Sequence, residues 1–440
     1  MTKTNNKAVE EYLICGLFSG AGGLDVGIEK AGFKVAVAVE IDPYAAETYR
    51  VNNPDVEVLC TDIRNVTGTM LKQIIESKYG PNKKLICVGG SPCQSWSSFK
   101  EELSGSKKGL EDDRGQLIFE YLRIITELQP EFILFENVPY MVGPRHLPAF
   151  NQFKEEIRKK TGLVLDYKVL SALDYGVAQK RERVFMIGRK PNVPNPFEFL
   201  QPIKGPKTLR EQLRNVPASE YAVFSPKDAE VMKRIAPGKC WNSLPSHEAM
   251  RALGKDYLGV CEACKREYNP FTKTECTCGH SVFRNVYGKM TSYYRRLSWD
   301  APAPTVCAVG PVKAWGAMGH PDENRGLSWR EYARLQGFDD DYVFCGPLHE
   351  IYKQIGNAVC VKLAQALGLA ILRAIVSARP GKQPNWNSWI ERFVHHPKKD
   401  TLTTLERDFL STLYQKLKQN SHIPDRYEVY LKETWNRLSS

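Results

Sequence analysis

The chain has 440 residues, 42% of them hydrophobic and 25% charged, with a formal net charge of +11. That length suffices for one large domain and a smaller one, and the basic excess favours a polyanionic partner over an acidic metabolite, whether nucleic acid or a membrane surface. No apolar run approaches the ~18–20 residues of a membrane span, and the polar, mixed-charge opening is unlike a signal peptide, so a soluble cytoplasmic protein is expected.

In chain order, residues 13–18, 35–40, 85–88, 132–135 and 184–187 read as short strands, and 45–51, 116–128 and 150–160 as helices. Strands alternating with helices predict a doubly wound α/β fold whose mostly parallel sheet is covered on both faces. Twelve cysteines would suit a disulfide scaffold only in a much shorter secreted chain, and Cys15, Cys60 and Cys87 lie in apolar runs where they read as small core residues.

The first strand runs into Ser19-Gly20-Ala21-Gly22-Gly23 and then a helix-type stretch, a glycine turn that lets a ligand approach bare backbone. Glu40 ends the next strand about 20 residues later, where a carboxylate accepts both hydroxyls of a ribose. Asp62 closes a third short run and is a candidate acceptor for an adenine amino group. Alone, the turn fits any nucleotide site, or a purely structural strand–turn–helix, equally well. Its spacing falls short of the full dinucleotide pattern, and no Lys-Ser or Lys-Thr follows to hold a phosphate. A ligand with ribose and adenine but no phosphate, such as S-adenosylmethionine, fits better.

Strand 85–88 leads into Gly89-Gly90-Ser91-Pro92-Cys93-Gln94, a loop at the carboxyl end of a strand, where open α/β sheets place their sites. A lone cysteine is most often inert. Here glycines precede Cys93 and Gln94, Ser95, Ser97 and Ser98 follow it, so it has no apolar packing, which points to a reactive thiol. Glu136 ends the run 132–135, and Arg181 and Arg183 precede strand 184–187; singly, each reads as a loop carboxylate or a solvated surface charge.

At Pro191 the texture changes, because Pro191, Pro194, Pro196, Pro202 and Pro206 fall within sixteen residues, a density that neither helices nor central strands accept. The expected division is an α/β domain over 1–190, a recognition domain over 191–338, a return segment over 339–378 with an apolar helix at 359–376, and a C-terminal extension over 379–440. In that extension Leu402, Leu405, Phe409, Leu413 and Leu417 share one helical face behind Thr403 and Glu406 at capping-box spacing.

The recognition segment carries Cys261-x2-Cys264 and, eleven residues on, Cys276-Thr-Cys278-Gly-His280. The first half is a good zinc pair; the second is tighter than the usual spacing, so His280 is an alternative to Cys278. A structural zinc and a loop of free thiols both stand, and four cysteines in a polar stretch lack a packing rationale, which favours the metal. Nearby, Arg284, Lys289, Tyr293, Tyr294, Arg295 and Arg296 suit phosphate contact and base-edge reading, or the solvated face of an ordinary small β-subdomain.

Five ordered segments, Phe18-Ser-Gly-Ala-Gly-Gly, Pro92-Cys93-Gln94, Glu136-Asn137-Val138, Gln179-Lys-Arg181-Glu-Arg183 and Gly356-Asn357-Ala358-Val359, resemble the DNA cytosine-5 methyltransferase family. Residues 296–306, ending Ala-Pro-Thr-Val, and 331–338, Glu-Tyr-Ala-Arg-Leu-Gln-Gly-Phe, look alike too. The resemblance covers 12–190 and 295–375, and departs at Cys360, where the family commonly has proline; this should alter a helix start and not the chemistry. It implies transfer of a methyl group from S-adenosylmethionine to carbon 5 of a flipped-out cytosine in double-stranded DNA, for restriction-modification or epigenetic marking, with a cognate restriction endonuclease acting separately.

The implied roles are Cys93 as nucleophile on carbon 6, Glu136 as the acid at N3 and Arg183 as the O2 donor, supported by Arg181. The implied donor pocket is Phe18, Gly20, Gly22, Gly23, Leu24, Glu40, Ile41, Asp62, Ile63, Pro92, Asn357 and Ala358. The chemistry asks for these residue types independently. Carbon 5 of cytosine is too weak a nucleophile until a thiolate adds at carbon 6, the thiol needs positive charge nearby to ionise, and the negative charge built on the ring needs donors. The loop 95–115, with Lys100, Lys107, Lys108 and Arg114, suits closure over an extruded base. Rival readings are a tRNA cytosine-5 methyltransferase, a catalytically silent DNA-binding regulator and a nucleotide-dependent oxidoreductase. The long middle segment, the intact Cys93, Glu136 and Arg183, and the glycine spacing speak against them in turn.

Overall fold

The computed structural model describes residues 9–92, 117–191, 193, 197–202, 207–244, 259–261, 263–268, 276–279, 283–285, 294–311, 318–377, 402 and 410. Alternating short apolar runs and amphipathic stretches resolve into strands β1 (Tyr12–Leu17), β2 (Lys34–Glu40), β3 (Glu57–Cys60), β4 (Lys84–Gly89), β5 (Phe132–Asn137), β6 (Val164–Ser171) and β7 (Glu182–Arg189). They form one sheet in the order β3-β2-β1-β4-β5-β7-β6. Neighbours from β3 to β5 pair in parallel, and only β7 runs against its neighbours.

Adjacent residues of each strand feed opposite faces, as the pleat requires. Ile14, Ile86, Val88, Phe132, Leu134, Phe185 and Ile187 enter one hydrophobic layer, and Leu13, Cys15, Leu17, Leu85, Cys87, Ile133, Phe135, Val184 and Met186 the other. Near-continuous apolar strands are what a sheet buried on both faces needs. The first layer is closed by α1 (Gly23–Lys30) and α10 (Val361–Ser377), and the second by α3 (Gly68–Tyr79), α4 (Leu117–Leu128) and α5 (Leu147–Thr161). Helix α2 (Pro43–Asn52) starts on Asp42, whose carboxylate accepts from the amides of Tyr44 and Ala45, with Pro43 in the first turn, an N-terminus built from its favoured residue types.

Helix α10 packs on α1 backbone to backbone. A Cβ on Gly27 would lie 2.4 Å from Ala364 Cβ, and one on Gly368 would lie 2.7 Å from Ala31 Cβ. The stretch Leu348–Val376 is long and apolar enough to cross a membrane by composition, contrary to the expectation that no run approaches that length. It is two helices, α9 (Leu348–Asn357) and α10, broken at Ala358–Cys360 and mostly buried in the protein. Its apolarity serves the core.

Helices α3 and α9, strand β6 and helix α8 (Trp329–Leu335) were not foreseen as elements. Only Gly68, Leu71 and Ile75 of α3 are buried, and β6 is an edge strand interrupted by Asp166 and Lys168, so neither carries a strong period. Cys60 also departs from expectation: it is exposed, because β3 is the edge strand and Cys60 its last residue, whereas Cys15 and Cys87 are fully buried.

Beyond β7 the chain makes helix α6 (Leu209–Gln212), helix α7 (Pro226–Lys233) and a three-stranded sheet of β8 (Gly259–Cys261), β9 (Glu267–Tyr268) and β10 (Phe283–Asn285) in the order β10-β8-β9. Leu209 and Leu213 join a third cluster with Leu297, Val306, Tyr332 and Tyr352. Phe224, Met232, Ile235, Cys240, Trp241 and Tyr294 form a fourth, smaller one. Of the C-terminal helical face only Leu402 is among the described residues, and it is buried.

Candidate active site

The site lies at the carboxyl ends of β1, β2, β4 and β5. At the donor end, Phe18, Gly20 and Gly22 all have positive φ, 55°, 57° and 85°, conformations that glycine adopts freely and phenylalanine does not. Gly23 has no room for a side chain: a Cβ there would meet the Val359 carbonyl at 2.5 Å and Ala358 Cβ at 3.0 Å. The Gly-Asn-Ala-Val segment is thereby seated directly on the glycine turn.

Glu40 reaches back under the turn, accepting from the Gly20 amide at 2.7 Å and the Asp42 amide at 2.9 Å. Burial raises its pKa against those two hydrogen bonds. Each carboxylate oxygen keeps a further lone pair, so the carboxylate retains capacity for hydroxyl donors. Ile41 beside it is 63% exposed, an unusual state for isoleucine at the end of a buried strand, whereas Leu24 and Ile63 are buried. Asp62 is already engaged: it caps a short turn and accepts from Arg64 through the backbone amide (2.9 Å), Nε (3.1 Å) and Nη2 (2.7 Å), which holds its carboxyl below the usual range. Asn357 is exposed and Ala358 buried at the same wall.

At the reacting end, β4 closes on Gly89 and Gly90. A Cβ on Gly89 would strike the Leu17 carbonyl at 2.0 Å, and one on Gly90 the Glu136 carbonyl at 2.3 Å and its Oε2 at 3.0 Å. The loop therefore leaves the sheet against Glu136. Asn137 fastens it by donating to the Ser91 carbonyl at 3.0 Å. Pro92 ends the described stretch; Cys93, Gln94 and the basic residues Lys100, Lys107, Lys108 and Arg114 lie outside the described residues.

Glu136 at the end of β5 faces Arg183 at the start of β7, with Oε1 3.0 Å from Nε. Both side chains are largely buried, at 16% and 17% exposure. Burial raises the Glu136 pKa even though Arg183 and Arg181 oppose it, a balance that favours a carboxyl able to hold a proton. Beside this pair opens a cavity of about 520 Å³ lined by Pro139, Ser171, Leu173, Lys180, Glu182, Arg183 and Thr305.

Arg181, two residues from Arg183, faces the other way. It is 3% exposed and donates to the carbonyls of Val306 (3.0 Å), Gly356 (3.1 Å) and Ala358 (2.9 Å). Burial and the neighbouring Arg183 lower its pKa to about 10, so it stays charged. Its contacts are structural and aim at no open volume. Two residues given no role at the outset, Gln179 and Gln336, are also fully buried and share this network. Their only sequence signal was membership of two motif segments. Asp25, likewise unremarked, is buried beneath the turn beside Ser19 and Tyr49, and burial pushes its pKa up to about 7.

In the segment beyond Pro191, Cys261, Cys264, Cys276 and Cys278 come together, their sulfurs all within 4.8 Å of one another. A Zn–S bond is about 2.3 Å, so a tetrahedral ion needs sulfurs roughly 3.8 Å apart; here Cys261–Cys278, Cys264–Cys276 and Cys276–Cys278 stand at 3.6, 3.3 and 3.2 Å. His280 lies outside the described residues. The basic and aromatic run nearby divides. Tyr294 is buried, with its hydroxyl donating to Asp228 at 2.6 Å, and buried Arg296 donates to the carbonyls of Met232, Ile235, His320, Pro321 and Glu323. These two hold the segment together and present nothing to a groove. Lys289 and Tyr293 are outside the described residues.

The chain matches the family model of C-5 cytosine-specific DNA methylases over residues 12–373, a span that runs through the middle segment where the motif resemblance lapsed. It is 35% identical to the Type II methyltransferase M.PspPI of Psychrobacter sp. (strain TA137) over 380 residues, 83% of this chain and 80% of that one. It is 34% identical to the Type II methyltransferase M.Sau96I of Staphylococcus aureus, over 84% of this chain and 77% of that one. In fold it is similar to a crystal structure of an Escherichia coli prophage protein described as a DNA modification methyltransferase, with a TM-score of 0.55 and 24% identity over 83% of this chain and 99% of that one.

Proposed function

The chain belongs to the C-5 cytosine-specific DNA methylase family and is an S-adenosylmethionine-dependent DNA (cytosine-5) methyltransferase, and from that premise we propose how its own residues divide the work. Cys93 is the nucleophile. Cys93 follows Pro92 in the sequence, after a loop that leaves the sheet with Gly90 pressed on Glu136. Arg183 favours the thiolate. The thiolate adds to carbon 6 of a cytosine extruded into the cavity lined by Arg183 and Thr305.

Glu136, with its raised pKa, donates a hydrogen bond or proton at N3, and Arg183 faces O2, so that negative charge developing on the ring meets fixed donors. S-adenosylmethionine supplies the electrophilic methyl group when bound. Glu40 accepts ribose hydroxyls, Ile41 offers an apolar face to adenine, and the turn Phe18–Gly23 with Leu24, Ile63, Pro92, Asn357 and Ala358 completes the pocket. Asp62 contributes through its capped turn, its carboxylate being held by Arg64. After transfer, loss of the carbon 5 proton and expulsion of the Cys93 sulfur restore the aromatic ring. Arg181 supports the site by position, because its guanidinium is taken up by three carbonyls.

The four-cysteine cluster holds a structural zinc, with Cys261, Cys264, Cys276 and Cys278 as ligands, tying β8 to the turn that carries the second pair. The segment 191–338 reads duplex DNA, residues 1–190 with 339–378 form the catalytic unit, and 379–440 is an extension. The enzyme works in the cytoplasm on double-stranded DNA, in a restriction-modification setting with a separate cognate endonuclease. The observation that carries this reading is the buried Glu136–Arg183 pair against which the Cys93 loop departs. Expression in a methylation-free host, with 5-methylcytosine mapped at base resolution, tests it. The reading requires methylation at one short recurrent sequence; unmethylated DNA with methylated tRNA would contradict it.

A further inference from the structure

The walls of the target pocket and of the donor pocket belong to different segments, and one buried polar network joins them. Gln179 meets the Val306 amide through Oε1 at 2.8 Å, and its Nε2 donates to the Leu335 carbonyl at 2.7 Å and to Gln336 Oε1 at 3.1 Å. Gln336 Nε2 in turn donates to the carbonyls of Ile355 at 2.7 Å and Ala358 at 3.1 Å. Arg181 closes the circuit, because it serves Val306 on one side and Gly356 and Ala358 on the other. Thus both backbone groups of Val306 and the carbonyl of Ala358 are held by three side chains that are at most 3% exposed.

Those two backbone sites are next to the reacting volumes. Thr305, adjoining Val306, lines the target cavity, and its hydroxyl donates to the Lys180 carbonyl at 2.7 Å. Ala358 lies against Gly23 of the donor turn, and Gly356 is pressed on the Cys307–Ala308 backbone, where a Cβ would come within 2.3 Å of the Ala308 amide. With the three side chains almost wholly buried, their polar atoms pair with one another and with buried backbone in place of bulk water, Arg181 Nε being the exception among them. The hydrogen bonds from Gln179, Gln336 and the two Arg181 Nη atoms thus favour one arrangement, and that arrangement sets the spacing between the two pockets.

We propose that Gln336 is a positioning residue for methyl transfer: through Gln179, Arg181 and the carbonyls of Ile355 and Ala358 it fixes the donor wall relative to the target wall. The inference rests on the assignment of the Arg183–Thr305 cavity to the target base. Misalignment of reacting groups lowers turnover while leaving each partner's own contacts in place. Gln336→Met removes both donors and the acceptor at nearly constant shape. Gln336→Glu keeps the acceptor for Gln179 and regains a donor only when protonated.

The test is steady-state methylation by the full chain, with KM measured for S-adenosylmethionine and for DNA. Gln336→Met is expected to lower kcat by about 10- to 100-fold with both KM values within about three-fold of wild type. For Gln336→Glu the activity relative to wild type should fall as pH rises over about 6–9, because ionisation sets a carboxylate against two carbonyls. An unchanged kcat, or a rise in KM with kcat kept, overturns the proposal. Should the methionine variant not fold, the glutamate variant decides, and a pH-independent ratio overturns it equally. Failure of the cavity assignment is seen separately, as a wild-type rate unaffected by Arg183→Leu.

Discussion

The carboxyl end of the sheet and the segment beyond Pro191 both carry arginines among aromatic residues, yet they use them in opposite ways. Arg183 faces a carboxylate and an open cavity. Arg296 faces five carbonyls and no solvent. The same division recurs within a single motif, where Arg181 and Arg183 are two residues apart and point to backbone and to cavity respectively. Residue type therefore marks where polar chemistry sits; burial and partners decide whether it acts on a substrate or on the fold.

The largest effect that sharpens this contrast is at the reacting end. Cys93→Ala should lower methylation at least about 100-fold while DNA and donor binding persist; residual turnover above that level in a radiometric assay would break the assignment. In the other region the effect should be on stability alone. Arg296→Met leaves five carbonyls without their shared donor and should cost about 3–5 kcal/mol in denaturant unfolding. A variant as stable as the wild type but impaired in DNA binding would instead return Arg296 to the DNA surface.

The cysteine cluster extends the structural side of the comparison. About one tightly held zinc per chain is expected by elemental analysis, falling on Cys261→Ser or Cys276→Ser substitution; a metal-free wild-type chain would leave the cluster as free thiols. Smaller still is the effect of Asp25. Its folded pKa of about 7 lies above the unfolded value of 3.8, so its contribution to stability is fully present below the unfolded value and is lost as pH rises through about 7. Asp25→Asn should gain roughly 2–4 kcal/mol on the wild type between acidic and mildly alkaline pH. Parallel unfolding profiles for the two proteins across that range would refute it.

Legibility in the sequence followed the same line. The parallel strands were readable because burial on both faces makes them continuously apolar, as in β1, β4 and β5. Helix α3 and edge strand β6 were not, since each buries only a few residues. In the site, the glycine turn and Glu40 stood out because short-range pattern places them at strand ends, whereas Glu136 and Arg183, unremarkable singly, gained their roles through the ordered family motifs. Gln179 and Gln336 could not, because the two lie 157 residues apart along the chain and only folding brings them together. Asp62 reads in the sequence as an acceptor for an adenine amino group, and its carboxylate also holds Arg64, two residues on, a contact that the pattern did not announce. Tyr294 and Arg296 were read as surface because composition carries no information on which side of a basic, aromatic run faces inward.

Catalysis turns on a transient bond between the sulfur of Cys93 and carbon 6 of the target ring. Its most direct test is incubation of the full chain and S-adenosylmethionine with duplex DNA carrying 5-fluorocytosine at the mapped site, followed by denaturing electrophoresis and mass analysis. The account predicts a stable one-to-one adduct located on Cys93, because fluorine cannot leave as the proton does. An enzyme that methylates the unfluorinated duplex yet never becomes attached to the fluorinated one would contradict it.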